Sequence, residues 1–268
     1  MSKGGGRLFT NFEEFEENIE YFELGFKMLS DMGQLMKDPL NTLYGALSYL
    51  DDPQKKEDAI AVIKHSFHSL VRLSENQIAM AEAVDHAETV PVAITSYIKD
   101  MLASANETLG DIGVTVELSA ENDGGQCCGI HAPKFTQIFM LLISRAAQEA
   151  GRDSTLSVDI RFDGAMCYVS IPVSGISLYD TPSYLADAGT PNALNALENL
   201  ALAKIINSFN NIHDSRVFVS GGKDGRDKVV IALKTDTRSV VGVPEPSFPG
   251  LRPDLVFLSD ILGKESYR

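Results

Sequence analysis

An imidazole that titrates near neutrality can attack a phosphoryl group and later release it. Five histidines could offer such a nitrogen in this 268-residue chain: His65, His68, His86, His131 and His213. None has a carboxylate or cysteine at metal-ligand spacing, so no metal site is expected. Residues 1 to 60 contain no histidine at all. Thiol chemistry is equally thin. Cys127 and Cys128 are adjacent and Cys167 is isolated, which suits neither a disulfide framework nor a four-ligand zinc site. This usage reads as a reducing compartment, with Cys127-Cys128 expected to end a strand.

The elements that would carry these groups begin with a long heptad. Phe12, Ile19, Phe26, Gly33, Leu40 and Leu47 form one seven-residue series. Phe15, Phe22, Leu29, Met36, Leu43 and Leu50 form the other, offset by three, and only Gly33 breaks the apolar face. Pro39 falls inside this helix and removes one intrahelical hydrogen bond. Asp51-Asp52-Pro53 ends it and starts a second helix, from about Gln54 to Val84. There Ile60, Ile63, Phe67, Leu70, Ala81 and Val84 continue the apolar face, which puts His65 and His68 near the outer, solvated side. Two antiparallel helices with one stripe each bury both stripes by pairing with a second copy into a four-helix bundle. The acidic run Glu13, Glu14, Glu16, Glu17, Glu20 and Glu23 reads as the solvated side of that stem.

After Thr89 the pattern turns to α/β. Helices are expected at Pro91–Leu109, Pro133–Ala150 and Ala193–Phe209. Strands are expected at Val114–Leu118, Leu156–Phe162, Ala165–Val173, Arg216–Ser220 and Lys228–Lys234. Asp163-Gly164 and the glycines from Gly221 to Gly225 mark two hairpins. This order implies a mixed sheet with helices on one face. Residues 176–192 read as loop. The tail holds Pro244, Pro246, Pro249 and Pro253 and reads as an extended strap or linker, with Leu255–Leu262 apolar enough to dock. The fold class is therefore α+β. A helical hairpin domain spans residues 1–88, an α/β domain spans 89–236, and a Pro-rich tail spans 237–268.

The segment Gln34-Leu35-Met36-Lys37-Asp38-Pro39-Leu40-Asn41 resembles the H-box of histidine kinases. There a histidine stands five residues before a proline, a basic residue lies between, and a Leu-Asn pair follows. Lys37, Pro39, Leu40 and Asn41 match, and Gln34 stands in the place of the phospho-accepting histidine. The α/β part resembles the family's ATP-binding domain, and together the likeness covers roughly residues 10 to 235. Its nucleotide boxes depart one by one. The two N-box asparagines fall on Leu141 and Arg145, and a guanidinium cannot ligate magnesium. The Asp-x-Gly-x-Gly box puts Ile171 in place of its aspartate and keeps Gly175. In Asn199-Leu200-Ala201-Leu202-Ala203 the lid motif keeps its leucines and loses both glycines, whose lack of a side chain lets backbone approach phosphate. No nucleotide cofactor is expected.

A kinase-like dimer with a degenerate ATP domain is similar to the bacterial histidine phosphotransferases, which carry phosphoryl groups between receiver domains. Glutamine's amide nitrogen is conjugated with its carbonyl and is no nucleophile. The resemblance therefore implies a non-catalytic two-component signalling protein, a pseudokinase scaffold or modulator. It would present Gln34, Lys37, Asp38 and Asn41 to a response-regulator receiver domain or a histidine kinase. The alternative is an active phosphotransferase using a displaced histidine, His65 or His68. A formal charge of -14 disfavours nucleic acid and anionic membrane as partners and suits basic patches. With no apolar run of membrane-spanning length and no leader-like N-terminus, a cytoplasmic location is expected.

Overall fold

The computed structural model describes residues 12–81, 88–121, 125–173, 193–211, 215–221, 227–238 and 251–268. Stem side chains are described from residue 25 to 78. The acidic run from Glu13 to Glu23, Phe12, Phe15, Ile19, Phe22, Ala81, Val84, His86, Gly175 and His213 fall outside the described side chains, as do the 176–192 loop and Pro244 to Pro249.

Helices α1 (Phe12–Leu47) and α2 (Lys56–Ala81) pack on each other as a hairpin. Pro39 sits inside α1 and withholds an N–H from the carbonyl of Leu35. The turn between the helices is built on Asp52, whose Oδ1 accepts the backbone N–H of Gln54 at 3.0 Å. The Lys55 ammonium lies 4.8 Å over the Tyr49 ring and closes the same turn.

The heptad face is largely unburied. Phe26, Leu29, Leu40 and Leu47 on α1, with Ile60, Phe67 and Ile78 on α2, are all exposed. Residues seven apart on a helix share a face, so each set is one continuous stripe. What α1 buries is the neighbouring face. Met28, Met32 and Leu35 pack on Ala196, Leu197 and Leu200 of a later helix. The chain's own α/β domain therefore takes other sides of the hairpin and leaves the stripes uncovered.

The α/β domain is one sheet in the order β1-β3-β7-β5-β4-β2, with β6 also pairing β7. Strand β2 (Thr115–Glu121) runs parallel to β4 (Thr155–Asp163), whereas β4 and β5 (Met166–Pro172) form the expected hairpin. Gly164 supplies the positive φ of 60° that this tight turn needs. Strands β6 (Arg216–Gly221) and β7 (Asp227–Asp236) form the second expected hairpin. Leu156, Val158, Ile160 and Phe162 point inward from β4 and alternate with less buried residues, as a sheet covered on one face requires. Helices α3 (Ile94–Leu109) and α4 (Ala132–Ala150) bury their apolar sides in that core, which includes Ile98, Phe135 and Phe139.

Two short strands differ from the sequence expectation. Val90–Ala93, read as the start of a helix, is strand β1, and Cys127–Ile130 is strand β3. Cys127 thus opens a strand instead of ending one. A proline is tolerated at Pro91 because β1 is an edge strand.

Residues 251–268 fold back on the molecule. They form α6 (Pro253–Phe257) and a 3-10 turn at Lys264–Tyr267, packed against α2, α3 and α4. Val256, Phe257, Leu258, Leu262 and Tyr267 are buried in the main core, so the apolar end of the tail does dock. The helix between β5 and β6, Ala193–Asn210, is α5.

Candidate functional site

Gln34, Lys37, Asp38 and Asn41 lie three or four residues apart on α1, which puts them on one face of that helix. All four are exposed. Among the described residues the side chains of Gln34, Lys37 and Asn41 have no hydrogen-bond or ion-pair partner, so their polar groups stay free for another molecule. Beside this face runs the apolar stripe. Tyr44 is 79% exposed, Phe26 71% and Leu29 66%, unusually bare for side chains of that size. This α1 face is therefore a polar patch edged by apolar surface.

His65 and His68 do not lie on an open outer face. The side of α2 opposite the stripe is covered by residues 251–268, and His68 is only 8% exposed. Tyr267 inserts against both rings, 5.1 Å from His65 and 5.2 Å from His68 between centroids. His65 Nε2 donates to the carbonyl of Ser259 at 3.0 Å. His68 Nδ1 donates to the carbonyl of Lys64 at 2.7 Å. Because a carbonyl only accepts, these bonds fix which nitrogen carries the proton in each ring. Burial holds the His68 pKa below its ordinary value, and the Lys64 carbonyl works against that. Burial likewise pushes the Tyr267 phenol up, and its hydroxyl donates to the carbonyl of Leu255 at 2.8 Å.

Of the positions read as nucleotide boxes, Leu141, Arg145, Asn199 and Leu202 line one small space between α4, α5 and α2. Arg145, at the magnesium-binding asparagine position, is engaged within α4 by Gln148 at 3.2 Å and Glu149 at 3.5 Å. Ile171, at the adenine-reading aspartate position, is fully buried in β5. Leu200 is committed to packing on α1. The space left between Leu141, Arg145, Asn199 and Leu202 is about 50 Å³, against roughly 300–1,000 Å³ for a ligand pocket. An ionic cluster crosses it. Arg72 from α2 reaches Glu198 at 3.3 Å and Asp260 at 3.7 Å, and Ser144 donates to Asp260 at 2.7 Å.

Other candidates carry less. Among the described residues no group of three or more His, Cys, Asp or Glu could hold a metal ion. His131 caps α4, accepting the backbone N–H of Lys134 at 3.4 Å. The neighbouring Cys167 and burial raise the Cys128 thiol far above neutrality, so it is not a thiolate nucleophile. The residues that tie the hairpin to the α/β domain, Arg72, Asp260 and Tyr267, leave no local signature in the sequence. Their partners lie about 120 to 200 positions away in the chain.

The architecture is matched among solved structures. No family model and no curated protein sequence matches this chain. Histidine kinase AdeS of Acinetobacter baumannii superposes with a TM-score of 0.51 at 13% identity, over 74% of this chain and 95% of that one. Histidine kinase ThkA, in a complex with response regulator protein TrrA, gives a TM-score of 0.54 at 13% identity over 83% and 65%. Full-length ShkA in complex with AMPPNP gives 0.51 at 12% identity over 80% and 46%. The fold is that of the histidine kinases. The hairpin corresponds to the expected N-terminal stem and the mixed sheet to an ATPase-like α/β domain. At such identities the likeness extends to fold alone. No described helix is long and apolar enough to cross a membrane.

Proposed function

We propose that this chain is a non-catalytic two-component signalling protein. It binds a response-regulator receiver domain or a histidine kinase through the α1 face around Gln34, as a homodimer in the cytoplasm. The observation that carries the reading is the exposed set Gln34, Lys37, Asp38 and Asn41, which preserves an H-box frame without a nucleophile. A kinase-fold neighbour that holds a response regulator makes a receiver the natural partner class. A second copy of the chain is the occupant that suits the two stripes. Both are long and apolar, and a symmetric partner brings the same pair of stripes to the contact. In that dimer the Gln34 faces flank the bundle and stay accessible.

Transfer through His65 or His68 has no support in their surroundings, since Tyr267 packs on both rings, Ser259 accepts from His65, and His68 is buried. The discriminating experiment incubates the protein with a labelled phospho-receiver. Stable complex formation without label on the protein supports the scaffold. Acid-labile label that is lost in His65→Ala or His68→Ala would replace it with phosphotransfer.

A further inference from the structure

Residues 251–268 tie several elements of the molecule together. They run along the polar side of α2, where Asp58, His65, His68 and Arg72 each meet one of them. At one end Asp58 receives Lys264 at 3.4 Å and also Arg268. Mid-helix, His65 and His68 enclose Tyr267. Further on, Arg72 meets Asp260, which also accepts from Ser144 of α4. The opposite edge of the segment is tied to α3. Thr108 donates to Asp254 at 2.6 Å, and Arg252 holds both oxygens of that carboxylate at 3.2 and 2.7 Å. One short segment thus bridges the stem to two helices of the α/β domain.

We propose that residues 251–268 are a clasp that sets how the α/β domain sits on the stem and whose links to α2 release together while its apolar side stays in the α/β core. The position of the domain is then governed by this segment and not by a bound nucleotide. Asp260 illustrates the substitution. It places the chain's own carboxylate between α2 and α4, beside the cleft whose remaining volume is about 50 Å³. The links to α2 run through Asp58, His65, His68 and Arg72, whereas Val256, Phe257 and Leu258 anchor the segment in the main core, so the α2 side is the one that local opening would expose. Opening the clasp uncovers His65, His68 and Arg72 together, so α2 carries a second, latent polar surface. This holds whatever partner the α1 face takes.

Native-state hydrogen exchange on the full chain tests the clasp, using Asp260→Asn, Tyr267→Ala and the double variant. Exchange across residues 58–76 is expected to rise at least about 10-fold in the double variant while β4 and β5 keep their rates. The isosteric Asp260→Asn alone should give a smaller rise in the same segment. Addition of magnesium and ATP should leave the protection of 58–76 unchanged. Unchanged exchange at 58–76 in both variants overturns the clasp. So does an equal acceleration in β4 and β5, because the segment would then be an ordinary part of one core.

Discussion

Tyr267 and His68 meet with ring centroids 5.2 Å apart and planes inclined by 41°, and this contact joins the end of the chain to the stem. The imidazole is buried against the phenol, and burial lowers its pKa despite the Lys64 carbonyl that accepts from it. A histidine whose folded pKa is depressed binds its proton more readily when unfolded. Stability is therefore full above the ordinary value near 6.5 and falls as pH drops through the lower folded value. Melting temperature is expected to decline from about pH 6.5 downward, and His68→Phe should flatten that decline. Asp58 titrates in a different window, because Arg268 and Lys264 hold its carboxyl below the usual carboxylate range.

Arg72 is the ionic hinge of the same contact. Its Arg72→Ala variant leaves the carboxylates of Glu198 and Asp260 without their cation. Removing one partner of a fully buried pair costs several kcal/mol, but both carboxylates keep some contact with water. A loss of about 1–3 kcal/mol is expected in urea denaturation.

Phe257 is almost wholly buried where α6 joins the core. Phe257→Ala is expected to cost about 3–5 kcal/mol through lost transfer energy and the cavity left behind. A cost near zero in the same denaturation assay would mean that the tail does not dock in solution.

The exposed stripe makes a separate claim about assembly. Leu40→Glu combined with Tyr44→Glu places two charges on side chains that are already exposed in the single chain. The pair should convert a dimer to a monomer in sedimentation velocity while helix content by circular dichroism is kept. A wild-type protein that sediments as a monomer would remove the symmetric stem.

Much of this fold was legible in the sequence because its signals are local. The heptad from Phe26 to Leu47, the alternation of Leu156, Val158, Ile160 and Phe162, and Asp163-Gly164 each specify their element within a few residues. β1 and β3 were missed because four-residue strands carry too little alternation, and the β-branched Val90 and Val92 flank a proline that reads as a helix start. The exposure of Gln34, Lys37 and Asn41 on one side of α1 follows from their helical spacing. The surroundings of His65 and His68 were not legible. Helical periodicity tells which side of α2 is apolar, but it cannot tell that Tyr267, about 200 residues later, covers the polar side.

The most direct test of the central claim measures binding of receiver domains from the same genome to the full-length protein by titration calorimetry. At least one receiver should bind the wild type, with Asn41→Arg or Lys37→Glu weakening that binding about 10-fold or more and leaving the fold intact. Binding by none of the receivers, or binding indifferent to both substitutions, would contradict a partner-docking role for the Gln34 face.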